Sequence, residues 1–216
     1  MLPNKLSKAA DQYEEVGKIK LAAHTRQMAL VFGIYTATCP VRGKELYELK
    51  KSEMIVTREL LSLQFVDFKN EFFQGTKWKL LSRKEGFGFL IDLALRVQAT
   101  EYRREICTHK DSEHSYVFMT ISGLPYTSST WSTSVKETVA QHCKNLHGWN
   151  VGVNIIRKAF VTRFLGSSPS NSLLDSVACA MNTSVEQLYK SYDERCSCER
   201  SAEGISKALE IYNQPD

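Results

Sequence analysis

The apolar positions of the chain change rhythm along its length. Residues 4–35 carry a helical period, with Ala22, Met28, Ala29, Phe32 and Ile34 marking a face that thickens toward its end. Pro40 interrupts it, and a second helix is predicted over Arg42–Lys51 with Leu46 and Leu49 facing inward. From Met54 to Leu95 the runs shorten. MIVT, LLSLQFVDF, KWKLL and FGFLIDLAL are rich in β-branched and aromatic residues, separated by Asn70, Gly75, Lys84–Gly86 and Gly88, which predicts a small antiparallel sheet. Residues 94–107 read as helix, SYVFM (115–119) as a strand, and ISGLPYTSS as a loop punctuated by Gly123 and Pro125. Helices then follow over about 129–146, 152–166, 170–181 and 184–192, and residues 201–213 form an amphipathic terminal helix with Ile205, Leu209 and Ile211 or Tyr212 on one side. The fold class is mainly α with a small antiparallel β-sheet.

Composition narrows the function classes only a little. The 216 residues, 43% hydrophobic and 24% charged, suit one large globular domain or one domain with a small appendage. No stretch approaches the about 20 uninterrupted apolar residues that cross a bilayer. The opening MLPNKLSKAADQYEE lacks the apolar segment of a secretory signal. A soluble, intracellular protein with no membrane partner is therefore expected. The six cysteines have no framework spacing and read as reduced thiols. Cys196-x-Cys198 has no second pair beside it, and His109 and His114 flank Asp111 and Glu113 in what reads as a solvated loop, so no metal site is expected. The net charge of +4 fits a polyanionic partner without establishing one.

Four segments carry chemistry when read together. In TCPVRGKELYELKKSEM (38–54) Arg42 opens a helix, with Glu45 and Leu46 following. In SRKEGFGFLIDL (82–93) Lys84 sits in a tight glycine-containing turn leading into a predicted strand. Either alone is most simply a solvated residue. In VGVNIIRKAFVTRFLG (151–166) Arg157 lies among Ile155, Ile156, Ala159, Phe160, Val161 and Phe164, where a guanidinium needs an anionic partner or an exposed face. The last, CAMNTSVEQLYKSYDER (179–195), ends a short helix with Tyr189 and Tyr192, each alone an ordinary aromatic.

In this order and spacing the segments resemble the tyrosine-recombinase, or phage-integrase, family. Arg42-Gly-Lys-Glu45-Leu46 matches its R-x-x-E-L box, and Lys84-Glu-Gly86 resembles its β-hairpin K-T-G turn. Asn154-Ile-Ile-Arg157-Lys158 matches its H-x-x-R-[HK] helix except at the first position, and Met181-Asn-Thr183-Ser184 stands where the family has L-G-H-S. Tyr192 lies at the family's usual spacing beyond Thr183, and YVFMTISGLPYTSSTWS (116–132) is similar to the intervening loop and helix. The likeness spans roughly residues 20–195. The VNIIRKAFVT wording is closer to recombinases of eukaryotic mobile elements and large DNA viruses than to bacterial integrases.

The resemblance implies a catalytic domain over residues 1–195, with 196–216 a linker and helix that packs on its own domain or in trans on a neighbour. It implies cleavage and rejoining of double-stranded DNA through a 3′-phosphotyrosine on Tyr192, with self-association on DNA from dimer to tetramer. No cofactor, metal or ATP is needed, because the covalent link keeps the phosphodiester bond energy. Arg42 and Arg157 would clamp the charge that builds on the phosphate. Lys84 would protonate the leaving 5′ oxygen, with Lys77 and Lys79 as fallback choices, and Lys158 would add positive charge. Asn154 and Thr183 replace the family's histidines, so each can hydrogen-bond a phosphate oxygen but neither can act as a base near neutral pH. These departures leave open a domesticated descendant that binds DNA without cutting it. Accidental motif order in an unrelated helical interaction domain is the third alternative. The expected location is where the DNA is, the nucleus in a eukaryotic cell or the compartment that holds viral or host DNA.

Overall fold

The computed structural model describes residues 2–66, 76–99, 103, 115–143, 151–181 and 183–195, with the backbone alone at Val66 and at 76–78. It is mainly helical with one small antiparallel sheet, as the sequence predicts. The chain divides into two compact units, residues 1–153 and 154–216, each with its own packing.

In the first unit the helical stretch expected over 4–35 is two helices, α1 (Leu2–Glu15) and α2 (Ile19–Ala37). Gly17 breaks them at φ +74°, and its N–H and that of Lys18 donate to Glu14 O (2.9 Å) and Tyr13 O (2.8 Å). This left-handed conformation closes a helix at little cost only when no Cβ is present. Gly17→Ala is expected to lower stability by about 1–2 kcal/mol, read as an earlier urea midpoint at unchanged slope.

The one-sided apolar face expected of this stretch is also too modest. From Thr25 to Tyr35 every residue of α2 is buried, so it is the central helix of the unit. Two of its buried polar side chains reach other elements. Arg26 donates to Asp11 (2.6 Å) and Glu14 (2.8 Å) of α1, and Gln27 Oε1 accepts from Met119 N (2.8 Å). A short helix α3 (Gly43–Tyr47) follows, with Arg42 at its N-cap.

Strands β1 (Met54–Val56), β2 (Leu60–Val66) and β3 (Thr76–Ser82) pair antiparallel in that order, with Met54 opposite Leu63 and Leu63 opposite Lys79. Leu61, Leu63, Phe65 and Leu81 are buried, whereas Leu80, on the other face, is 60% exposed. The next segment departs from expectation. FGFLIDLAL is not a strand, because Gly88–Gln98 forms helix α4. Leu90, Leu93, Ala94 and Val97 are buried at helical spacing, while Phe89 is 40% exposed and Asp92 meets Arg83 (2.6 Å) at the surface. Helix α4 lies close to α2, where a Cβ on Gly33 would stand 2.1 Å from Leu90 Cδ2.

SYVFM likewise forms no ladder strand. Its backbone makes isolated bridges, Lys50 with Tyr116 and Met119 with Pro125, and Val117 N donates to Leu49 O (2.8 Å). Helix α5 (Ser128–His142) is capped by Thr127 and carries buried Trp131. The indole meets Tyr126 edge-on (ring centroids 5.0 Å) and packs on Tyr47 (5.8 Å) and Phe118 (6.1 Å), fixing α3 beside α5.

In the second unit α6 (Val153–Leu165) buries Arg157, Val161 and Leu165 along one stripe, and α7 (Asn171–Ala180) buries Leu174, Val177 and Ala178. A turn of helix, α8 (Val185–Gln187), is N-capped by the Ser184 hydroxyl, which accepts from Gln187 N (3.2 Å). It widens into a π-type turn over Leu188–Tyr192. The helix expected over 201–213 and the linker from Cys196 lie outside the described residues, as does most of the stretch expected as helix between Ala99 and Cys107.

Candidate active site

The residues that the sequence singles out are distributed over both units, and each unit is described by itself. In the first, Arg42 is half-buried at the N-cap of α3, and its backbone N–H donates to Glu45 Oε2 (2.8 Å). Glu45 is itself buried, so the R-x-x-E-L spacing works as a cap that sets the direction of the chain at Arg42.

The lysines separate sharply. Lys84 is exposed in a single 3-10 turn (Arg83–Glu85) between β3 and α4, closed by Gly86 at φ +90°. The turn leads into a helix and is not the tip of a hairpin. The hairpin is β2–β3, whose connecting residues lie outside the described ones. Lys79 stands on β3, and its ammonium donates to Thr38 Oγ1 (3.0 Å) and to Cys39 O, in the segment that leads into Arg42. Burial pushes the Cys39 thiol up, against the opposing pull of the Lys79 charge. Lys77 is on the same strand, opposite Phe65, with its side chain outside the described residues.

In the second unit Arg157 and Tyr192 are brought together. Arg157 is 1% exposed. Its Nη2 donates to Tyr192 Oη (3.2 Å) and to Met181 O (3.0 Å), at the end of α7. The guanidinium carbon also lies 5.0 Å from the centroid of the Tyr192 ring. An arginine in an apolar helix is thus held by a carbonyl and a phenol, and it fixes where the phenolic oxygen stands. Tyr189, the other tyrosine of the segment, is 43% exposed. Asn154 is exposed at the start of α6. Thr183 is half-buried, and its N–H donates to Ala178 O (3.0 Å) in the turn after α7. The Lys158 ammonium is paired with Glu194, just beyond the tyrosine, so its charge is directed to the chain itself.

The segment after Tyr192 is ordered against α6 in a way the sequence reading missed. Thr162 Oγ1 donates to Tyr192 O (3.2 Å) and accepts from Glu194 N (3.0 Å). Arg195 grips Asp193 with two parallel bonds (Nε to Oδ1 2.9 Å, Nη2 to Oδ2 3.0 Å), and its Nη1 donates to Leu165 O (3.1 Å). The Asp193 side chain is fully buried. The only advance signal was the string Asp193-Glu-Arg195 directly after the tyrosine.

Two of the histidines are described. His24 Nε2 pairs with Tyr126 Oη (2.8 Å), where burial holds the imidazole below its ordinary range and pushes the phenol up to about 12. His142 ends α5, its imidazole lowered by burial and by the Lys5 charge. His109, His114 and His147 lie outside the described residues.

No protein-family model and no curated protein matches the sequence. Solved structures do. XerA recombinase superposes over 100% of this chain and 64% of its own, at 13% identity and a TM-score of 0.56. XerH site-specific recombinase bound to its difH substrate in a pre-cleavage complex matches over 99% of this chain and 53% of its own, at 16% identity and a TM-score of 0.60. The XerH post-cleavage complex on palindromic difH gives 16% identity and a TM-score of 0.58, over 99% of this chain and 52% of its own. The chain therefore has the fold of these recombinases and spans between about half and two thirds of their length.

Proposed function

We propose that this chain is the catalytic part of a site-specific recombinase that cuts and rejoins double-stranded DNA through a covalent tyrosine. The observation that carries the reading is the hydrogen bond between buried Arg157 and the Tyr192 hydroxyl. A phenol is a weak nucleophile at neutral pH, and a fixed guanidinium beside its oxygen orients it and is placed to bind the charge that develops on the incoming phosphate.

In the proposed step the Tyr192 oxygen attacks the phosphorus, its proton passing to water. The new phosphorus–oxygen bond forms as the bond to the 5′ oxygen breaks, and that oxygen takes a proton from a lysine. Arg157 and Arg42 bind the non-bridging oxygens, where the second negative charge develops. Asn154 and Thr183 serve as hydrogen-bond donors to the phosphate. Lys79 takes the acid's place in preference to Lys84, because its ammonium is already held beside residues 38–39 and Lys84 is out on a separate turn. Lys77 shares the strand and contributes to the DNA backbone contacts. Lys79→Ala is expected to slow cleavage about 10²-fold, with Lys84→Ala near wild type, when single-turnover rates are compared.

DNA is the partner, and the protein assembles as dimers to tetramers on it. The VNIIRKAFVT wording favours an origin among mobile elements of eukaryotes or large DNA viruses, with the nucleus, or the compartment that holds the viral or host DNA, as its place of action. The test is covalent capture. A pool of nicked duplexes with a randomised central sequence is incubated with the protein without metal or ATP, and denaturant-resistant protein–DNA species are isolated and sequenced. Recovery of one enriched sequence in covalent form supports the reading. Enrichment by binding alone, with no covalent species, would identify a DNA-binding protein that does not cut.

A further inference from the structure

We infer that Thr162 is a positioning residue for the nucleophile: its hydroxyl clasps the main chain on both sides of Asp193 and so sets where the Tyr192 oxygen stands. The inference rests on the recombinase reading for its consequence in catalysis, but the clasp itself is geometric. A hydroxyl has one proton to give and lone pairs to receive. Thr162 gives its proton to Tyr192 O (3.2 Å) and receives the N–H of Glu194 (3.0 Å).

A threonine inside a helix ordinarily returns its hydroxyl to a carbonyl one turn back. Thr162 turns its hydroxyl instead to a segment 30 residues away in sequence. Its β-branched side chain has few rotamers in a helix, so the direction of the hydroxyl is set by α6. Arg157 projects from the same helix, and its guanidinium meets the Tyr192 oxygen at 3.2 Å. One rigid element thereby fixes both the backbone and the hydroxyl of the tyrosine.

Neighbouring ties follow the same line along α6. Lys158 pairs with Glu194, and Leu165 O accepts from Arg195, whose fork is closed on the buried Asp193 carboxylate. The Lys158–Glu194 pair is exposed at both ends (41% and 56%) and contributes little. Thr162 is the half-buried tie and the one that holds main-chain atoms on both sides of the turn. Displacing a reacting group by about 1 Å costs on the order of 10²-fold in rate, so a positional role predicts a kinetic effect far larger than the loss of two neutral hydrogen bonds implies.

Thr162→Val keeps the shape and removes both bonds, whereas Thr162→Ser keeps the hydroxyl. On a duplex selected by covalent capture, Thr162→Val is expected to slow adduct formation about 10- to 100-fold with DNA affinity unchanged, and Thr162→Ser to restore most of the rate. In the free protein, carbon-13 label at the Tyr192 ring carbon bearing the hydroxyl should give a resonance distinct from free tyrosine. That resonance should move toward the free value in Thr162→Val and return in Thr162→Ser. A Thr162→Val protein that keeps the wild-type resonance, or that cuts at the wild-type rate, overturns the inference. If wild-type protein forms no adduct, the recombinase reading fails, and the resonances alone decide whether the clasp holds Tyr192.

Discussion

Tyr192→Phe is expected to abolish covalent attachment to DNA while leaving DNA binding intact. Phenylalanine fills the same space against the Arg157 guanidinium, whose carbon lies 5.0 Å from the ring centroid, so the local packing is retained. Only the oxygen that would carry the phosphate is removed. Binding depends instead on cationic contacts to phosphates elsewhere and should survive, with the steep salt dependence of such contacts. Tyr189→Phe is the matched control. Its ring is 43% exposed three positions earlier in the same segment, and its loss should leave adduct yield unchanged. A Tyr192→Phe protein that still forms adducts would remove the nucleophile from the account.

Arg157→Ala is the second large effect, an expected loss of about 10²–10³ in the rate of adduct formation. The side chain has two tasks that the substitution ends together. It donates to the phenol at 3.2 Å, and in the proposed complex it binds the charge growing on the phosphate. Removing it also leaves Met181 O without this donor in a buried place, so some stability, on the order of 1–3 kcal/mol, goes with it. Arg157→Lys separates the two consequences. It keeps a cation without the planar fork, so a folded Arg157→Lys protein should still be slowed strongly. Equal rates for lysine and arginine would reduce the role of this group to charge alone.

What the sequence disclosed followed from how local each signal was. Arg157 was legible because a guanidinium among Ile155, Ile156 and Phe160 demands partners, and it has them in Met181 O and Tyr192 Oη. The short strands over 54–66 and 76–82 were legible from their composition and turn residues. The ranking of the lysines depended on taking FGFLIDLAL for an outgoing strand. The spacing of Leu90, Leu93, Ala94 and Val97 already described a helix, but the aromatic and glycine content hid it, and with the strand went the hairpin meant to present Lys84. Gly17 was overlooked because the residues on both sides of it are helix formers, in α1 and in α2, so no change to a strand or loop pattern marks the break. Thr162 lay beyond any sequence signal, since the atoms it holds, Tyr192 O and Glu194 N, belong to the main chain and leave no side-chain pattern.

The most direct measurement is the identity of the residue that carries DNA. Covalent species captured by the wild-type protein would be digested with nuclease and protease, and the peptide bearing the nucleotide remnant sequenced by mass spectrometry. The account predicts the remnant on the Tyr192 oxygen, joined to a 3′ phosphate. A remnant on Tyr189, Ser184 or any other side chain, or a 5′-phosphate linkage, would contradict it.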